Sequence, residues 1–221
     1  MMRWSFRLPG GPGTRECSRI QGSDGRPAAS GSVRRPAGNV GGLLQSGVND
    51  DGEAGIVCWR CDHPGATTEE YLSYLAETIE RDRWVVQYVV SEHQPSAYTV
   101  GLHGLGLPEL LVTGLPEKTS VQMLNSAAHE MACHDTRLEP GMQIEFEGEL
   151  VLEVVEVDHP DVHLKIADQF YRRPFCALQL VWTDDERHWP WDRGWSHGRR
   201  LQQPILGARD RLSETWVEGC C

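Results

Sequence analysis

Hydrophobic positions along the chain follow two periods, and each period predicts a different kind of element. Segments in which apolar residues alternate with polar ones, or run on almost uncharged, predict strands; these segments are residues 84–90, 98–102, 109–115, 144–146, 150–157 and 176–182. The two central segments, 98–102 and 109–115, flank a linker that contains Gly104, Gly106 and Pro108. They therefore predict two neighbouring strands with at least one buried face.

Apolar residues spaced three or four apart predict three helices that lie on this sheet. The first follows Thr67 and Glu70, which have the spacing of a capping box. The second follows Pro116, a residue that is well tolerated at the start of a helix. The third is short and is predicted to be capped by Asp161.

The order of these elements predicts a single α+β domain over residues 56–207, with a mainly antiparallel sheet and about three helices packed on it. The pattern leaves open whether the sheet curls towards a barrel. Residues 1–55 are rich in Gly, Pro and Arg and are predicted to be a disordered leader, either a native tail or the product of an early start codon. Residues 208–221 are predicted to be a polar tail.

Composition and charge indicate which class of partner and which cellular compartment to expect. The 221-residue chain has a mean hydropathy of -0.44 and a net charge of -11. Residues 1–50 carry a net charge of about +4, so the rest of the chain carries about -15. An acidic body repels phosphate backbones, so nucleic acid is not expected as its partner. No apolar run approaches the roughly 18 residues of a membrane span, and no signal peptide is recognised, so a cytoplasmic location is expected. Homo-oligomerisation is left open.

Several blocks of the sequence together resemble a known bacterial family. These blocks are Cys58-Trp-Arg-Cys61-Asp-His-Pro-Gly65, Trp84-Val-Val-Gln-Tyr, Leu107-Pro-Glu-Leu-Leu-Val-Thr-Gly-Leu115, Trp189-Pro-Trp191 and Gln203-Pro-Ile-Leu-Gly207. The chain resembles the domain of unknown function 4262 family over residues 58–207. The resemblance implies a bacterial, and more narrowly an actinobacterial, origin. It implies no activity and no catalytic residue.

One pair of cysteines has the spacing of a metal or redox site. Cys58 and Cys61 could bind zinc together with His159 and His163, which are four residues apart near a predicted helix start. The same two thiols could instead form a redox dithiol, or could simply be buried. Of the other cysteines, Cys176 is interpreted as an isolated, buried thiol.

The central hairpin supplies the other candidates. His103 and Glu109 are candidates for acid–base chemistry, because imidazole and carboxyl groups transfer protons near neutral pH. Tyr98, Thr99 and Gly101 are candidates for binding a cofactor, and glycines in this turn could cradle an anion. A flavin is considered because the strand and turn pattern is loosely like that of split-barrel flavin reductases.

Trp182 and Trp191 are candidates for the wall of a pocket for a flat ligand, or else for closing the core. The neighbouring acidic run, residues 184–186, is interpreted as a solvated turn. Two functions follow from these candidates. The first is a small-ligand-binding or cofactor-binding domain. The second is a non-catalytic regulatory or protein-interaction domain with a structural Cys/His zinc site.

Overall fold

The computed structural model describes residues 59–134, 136–146, 150–195 and 202–207, except the side chains of Arg60 and Cys61, and the backbone of three strands before residue 58. The strands are β1 Trp4–Arg7, β2 Leu43–Val48, β3 Ala54–Val57, β4 Val85–Val89, β5 Ser96–Val100, β6 Glu109–Thr113, β7 Gln143–Phe146, β8 Leu150–Glu156 and β9 Ala177–Trp182. The helices are α1 Trp59–Asp62, α2 Thr68–Asp82, α3 Glu117–His134, α4 Pro160–His163 and α5 Lys165–Tyr171, and a 3₁₀ helix spans Leu102–Leu105.

The described strands form one sheet in the order β1-β7-β8-β9-β6-β5-β4-β2-β3. Neighbouring strands are antiparallel except for β6 and β9, which are parallel. The six strands from β4 to β9, with the longer helices α2, α3 and α5, form the predicted α+β domain, and this prediction is confirmed. The sheet is open, with β1 and β3 at its edges, so it does not curl into a barrel.

Helices cover both faces of the central sheet. On one face, α3 packs on a cluster that includes Val86, Leu110 and Leu180. On the other face, α2 and α5 contribute to a cluster around Tyr71 and Leu111. Because successive residues of a strand point to opposite faces, burial on both sides explains why the central strands carry so little charge. Among the described helices, α3 included, none is both long and apolar enough to cross a membrane.

The start of α2 is set by the two residues that the sequence indicates. The hydroxyl of Thr67 accepts a hydrogen bond from the backbone N–H of Glu70 at 3.2 Å. In return, the Glu70 carboxylate accepts one from the backbone N–H of Thr67 at 2.7 Å. This reciprocal pair satisfies amide donors that the first turn of a helix leaves free. The predicted capping box is confirmed.

The segment predicted to be a disordered leader contains described strands. Within residues 1–55 the backbone forms β1, β2 and the start of β3. β1 pairs with β7 and β2 pairs with β4, so these strands extend the two edges of the central sheet. They are short, and no sustained period marks them in the sequence. The remaining residues of the leader and the tail 208–221 lie outside the described residues.

The predicted third helix is two short helices, and the prediction that Asp161 caps it is wrong. The N-cap of α4 is His159, which has a φ of 52° and forms no side-chain capping bond. Pro160 follows it in the first turn of the helix. The N–H groups of the first turn have no partner within the helix, so proline, which lacks an N–H, is tolerated there. Asp161 therefore lies within the first turn of α4. The chain then turns at Leu164 and continues as α5.

Candidate functional site

Four hydrogen bonds converge on the carboxylate of Glu109, at the first position of β6. Its side chain is fully buried. Its Oε2 accepts a hydrogen bond from the hydroxyl of Thr99 at 2.5 Å. Its Oε1 accepts bonds from the backbone N–H groups of Gly101 at 3.0 Å and His103 at 2.9 Å, and from the hydroxyl of Tyr171. We call these five residues the Glu109 centre.

Gly101 is needed where it lies because the backbone turns sharply there. Its φ is 127°, a conformation that residues with a Cβ rarely adopt. A Cβ at this position would also lie 2.5 Å from the carbonyl oxygen of Arg83 and 2.8 Å from the Cα of Trp84. The sequence leaves two roles open for the glycines in this turn, cradling an anion or simply making the turn. At Gly101 the anionic group that the amide meets is the protein's own Glu109 carboxyl.

Tyr171 completes the centre from the last turn of α5, and sequence reasoning missed it. Its hydroxyl donates to Glu109 Oε1 and accepts from the backbone N–H of Gly101 at 2.6 Å. Tyr171 is 62 residues away from Glu109 in the chain. No local pattern marks the residue, because only the packing of α5 against the sheet brings it to the 3₁₀ helix.

Burial controls the protonation of the centre. Burial raises the pKa of Glu109, and the hydrogen bonds from His103, Thr99, Tyr171 and Gly101 oppose that shift. The pKa of Tyr171 is raised as well, by burial first and then by the neighbouring Glu109 carboxylate. Tyr171 therefore stays a protonated hydrogen-bond donor. The centre fixes the backbone of the turn from 101 to 103 and leaves the imidazole of His103 at its rim.

The His103 side chain is half-buried beside aromatic rings. Its ring lies edge-on to Tyr171, with centroids 4.8 Å apart, and 6.3 Å from the ring of Phe175. Burial lowers the pKa of His103, and the positive charge of Arg173 lowers it further, so the imidazole is neutral at pH 7. Its buried Nε2 atom has no hydrogen-bond partner among the described residues.

The two predicted tryptophans lie elsewhere. Trp182 is buried in the cluster under α3, and its indole N–H donates to the carbonyl of Thr113 at 2.8 Å, at the opposite end of β6 from Glu109. Trp191 stacks on Trp189, with ring centroids 5.2 Å apart. Trp189 in turn lines an open cavity of about 200 Å³ on the β7 side of the sheet. The structure therefore does not bring these tryptophans to the Glu109 centre.

The remaining predicted binding residue, Tyr98, is part of the core. Its side chain is buried, and its hydroxyl accepts a hydrogen bond from the backbone N–H of Ile166 at 3.2 Å. Burial raises the pKa of Tyr98. Tyr98 thus fixes the start of α5 to β5, which supports the position of Tyr171 at the other end of that helix.

The predicted zinc ligands are only partly described. His159 is exposed before α4 and His163 is half-buried at its end, whereas Cys58 and the side chain of Cys61 lie outside the described residues. Within the described part of the chain, no group of three His, Cys, Asp or Glu side chains could hold a metal. Cys176 is disulfide-bonded, so its interpretation as an isolated thiol is wrong.

Zinc binding and flavin binding stay predictions, and one purified sample of the protein can test both. If the four predicted ligands bind zinc, elemental analysis gives about one zinc per chain, and Cys58→Ser removes most of it. Cys133→Ser is the matched control, because this free, exposed cysteine is not among the predicted ligands. Equal zinc in both variants would contradict the site. A bound flavin would be visible as a yellow colour of the same sample.

Comparison with known proteins places the domain in a family. The family model described as "Domain of unknown function (DUF4262)" matches residues 78–196, more than half of the chain. The chain belongs to the DUF4262 family. No curated protein and no solved structure matches the chain. The DUF4262 match includes the Glu109 centre and the Trp189 cavity, whereas Cys58 and Cys61 lie before it.

Proposed function

We propose that this DUF4262 protein is a small-ligand-binding domain, and that an acidic group of the ligand binds beside His103. The observation that carries the proposal is the buried Nε2 atom of His103, which has no partner among the described residues. Buried polar atoms in folded proteins are nearly always hydrogen-bonded, because leaving one unpaired costs free energy. An unpaired ring nitrogen on a half-exposed side chain is therefore suited to a partner from outside the chain.

The surroundings of His103 favour an anion with a flat apolar part. Arg173 is exposed and forms no ion pair in the described part of the chain, and its charge is close enough to lower the pKa of His103. A guanidinium binds a carboxylate through two parallel hydrogen bonds, and a neutral imidazole supplies a third contact without competing charge. The rings of Tyr171 and Phe175 offer an apolar wall next to these groups.

The Glu109 centre supports this role by holding the turn in place before the ligand arrives. The carboxylate binds the backbone N–H of His103 directly, and Tyr171 binds both the carboxylate and the backbone N–H of Gly101. A binding group that is already positioned loses little conformational entropy on binding. The buried carboxylate thus acts on the ligand through His103 and not by contact.

Benzoate is the probe that tests this proposal. We expect it to bind the full-length protein, and we expect benzamide, which has the same ring without the charge, to bind at least about tenfold more weakly. Arg173→Gln should weaken benzoate binding by about tenfold or more. His103→Phe, which keeps an aromatic ring but removes Nε2, should weaken it by about threefold or more. Isothermal titration calorimetry measures each affinity.

Arg172→Gln is the matched control, because Arg172 is the exposed neighbour of Arg173 and lines a different groove. It should bind benzoate as the unaltered protein does. The proposal is overturned if the unaltered protein binds no benzoate, or if benzoate binds equally well to Arg173→Gln and His103→Phe. Circular dichroism of each variant confirms that the fold is retained.

A further inference from the structure

The disulfide of Cys176 lies next to the residues proposed to bind a ligand, and the proposed function does not use it. Cys176 is disulfide-bonded and half-buried, and it comes directly before β9. Cys133 is free, so the partner sulfur belongs to a cysteine whose side chain lies outside the described residues. In the cytoplasm, the location expected from the sequence, most protein disulfides are transient and take part in catalysis or redox sensing. The neighbours of Cys176 indicate what this disulfide controls.

The backbone of Cys176 supports the Glu109 centre. Its carbonyl accepts a hydrogen bond from the backbone N–H of Glu109 at 2.9 Å. The parallel pairing of β6 with β9 begins at the same place, where Glu109 lies opposite Ala177. The Glu109 carboxylate in turn accepts a hydrogen bond from the backbone N–H of His103 at 2.9 Å. Two consecutive hydrogen bonds thus connect Cys176 to the turn that carries His103.

The residue before Cys176 belongs to the proposed site itself. Phe175 is 6% exposed, and its ring centroid lies 5.4 Å from that of Tyr171 and 6.3 Å from that of His103. It is one of the two rings that form the apolar wall. The disulfide therefore restrains the backbone that positions this ring.

The disulfide also fixes one end of the segment that carries Arg173. Residues 172–175 connect α5 to Cys176 and have no helix or strand of their own. At the first end, Tyr171 is held by its hydroxyl in the Glu109 centre. At the second end, Cys176 is held by its disulfide and by its backbone hydrogen bond. Arg173 and its two neighbours in the chain are exposed, so the segment depends on these two ends for its position.

We propose that the Cys176 disulfide is a redox switch for ligand binding beside His103. This inference rests on the proposed function, because the switch acts on the same site. In the oxidised protein, residues 172–175 are fixed at both ends, and Arg173 and Phe175 are in place before the anion arrives. Reduction frees one end, so the anion must also order this segment and therefore binds more weakly.

The chemical step is a thiol–disulfide exchange, and a dithiol is the reductant. A thiolate of the dithiol attacks one sulfur of the Cys176 disulfide, the S–S bond breaks, and a mixed disulfide forms. The second thiol of the reductant then displaces the protein sulfur. The protein gains two electrons and two protons and ends with two thiols, and the dithiol becomes a cyclic disulfide. A low-molecular-weight disulfide, such as glutathione disulfide, reverses the step.

Benzoate binding by the full-length protein in both redox states tests the switch. Dithiothreitol reduces the protein, and glutathione disulfide oxidises it again. Isothermal titration calorimetry should show at least about threefold weaker benzoate binding after reduction, and the original affinity after re-oxidation. Alkylation of free thiols followed by trypsin digestion reports the state of Cys176 in each sample, because the peptide 173–187 contains no other cysteine.

Two cysteine variants assign the effect to Cys176. Cys176→Ser cannot form the disulfide, so it should bind benzoate as weakly as the reduced protein, with or without dithiothreitol. Cys133→Ser is the matched control, because this cysteine is free and exposed. Its benzoate affinity should respond to reduction as that of the unaltered protein does. Circular dichroism in both redox states shows whether the fold is retained.

A second measurement does not depend on benzoate. Amide hydrogen exchange, followed by NMR, should become at least about threefold faster at the backbone N–H of Glu109 after reduction, because its acceptor belongs to Cys176. The exchange rate at Leu124, a buried residue of α3, should not change.

These measurements separate failure of the switch from failure of the proposed function. If benzoate binds neither redox state, the proposed function is wrong, and the exchange rate at Glu109 alone decides whether the disulfide acts on this centre. The switch is overturned if reduction changes neither the benzoate affinity nor the exchange rate at Glu109. It is also overturned if reduction unfolds the whole domain, since the disulfide would then be a structural cross-link, or if Cys176 is alkylated without reduction.

Discussion

Replacing Glu109 by alanine is expected to lower the free energy of unfolding by at least about 3 kcal/mol, because the change leaves several buried donors without an acceptor. Those donors are the hydroxyls of Thr99 and Tyr171 and the backbone N–H of His103. The N–H of Gly101 keeps the hydroxyl of Tyr171 as its acceptor. Each unpaired buried donor costs roughly 1–3 kcal/mol, although relaxation of the turn recovers part of that cost. Urea unfolding monitored by tryptophan fluorescence measures the difference.

Glu77→Ala is the control for this change. Glu77 is an exposed residue of α2, so its replacement should alter the free energy of unfolding by no more than about 0.5 kcal/mol. Equal losses in Glu109→Ala and Glu77→Ala would show that the Glu109 centre contributes nothing special to stability. A loss of several kcal/mol is a large part of the total stability of a domain. The unfolding of Glu109→Ala is therefore measured at low temperature, so that the variant is folded before urea is added.

The dependence of the free energy of unfolding on pH tests whether the Glu109 carboxyl is protonated in the folded protein. Burial raises the pKa of Glu109 above its ordinary value of 4.5. Between that value and the raised folded-state pKa, the folded protein holds a proton that the unfolded chain has released. The stability that this proton contributes is fully present below about 4.5 and is lost as the pH rises through the folded-state pKa.

Glu109→Gln is the variant that isolates this effect, since an amide does not titrate. The unaltered protein should lose stability relative to Glu109→Gln as the pH is raised from below to above the pKa of Glu109. Urea unfolding of both proteins over a series of pH values measures the difference between their free energies of unfolding. A difference that moves in the other direction with pH would mean that the hydrogen bonds to the carboxylate outweigh its burial.

The second large effect is expected at Gly101. Gly101→Ala should lower the free energy of unfolding by about 3 kcal/mol or more, because the alanine would have to adopt a φ of 127° and place its Cβ against two backbone atoms. The carbonyl of Arg83 and the Cα of Trp84 belong to the chain that enters β4, so they cannot move aside as a flexible side chain would. Thermal unfolding and urea unfolding both report the loss.

Gly104→Ala provides the matched control three residues later in the same turn. A Cβ at Gly104 would meet no heavy atom within 4 Å. The alanine also restricts the unfolded chain, so Gly104→Ala should leave the stability unchanged or raise it by up to about 1 kcal/mol. If both substitutions destabilised the protein equally, the close approach at Gly101 would not be the cause.

Local features of the fold were predicted well from the sequence. The capping box of Thr67 and Glu70 depends on residues three apart, and the structure has both of its hydrogen bonds. The segment 176–182 is predicted to be a strand, and the structure has β9 at Ala177–Trp182. These predictions succeeded because period and capping express contacts between residues that are close in the chain.

Other features could not be predicted because they depend on which distant segments meet. The sequence indicates His103 and Glu109 as candidates by their residue types and their place in the turn. It does not show that Glu109 bonds to the backbone N–H of His103 and not to its imidazole. Tyr171 was missed because α5 brings it in from elsewhere in the chain. The position of β9 between β6 and β8 is likewise a matter of topology, since nothing in its own sequence specifies its neighbours.

The sequence by itself determined the kinds and the order of the main helices and strands from α2 to β9, and the family to which the chain belongs. The elements follow from the spacing of apolar residues, which is a local property, and the family follows from the quoted sequence blocks. Only the tertiary structure decided that Glu109 is a buried anchor, that Trp182 is core, and that Arg187 and Glu145 line one cavity. The reason is physical: the protonation, exposure and partners of a side chain depend on atoms contributed by distant segments, and folding alone brings those atoms together.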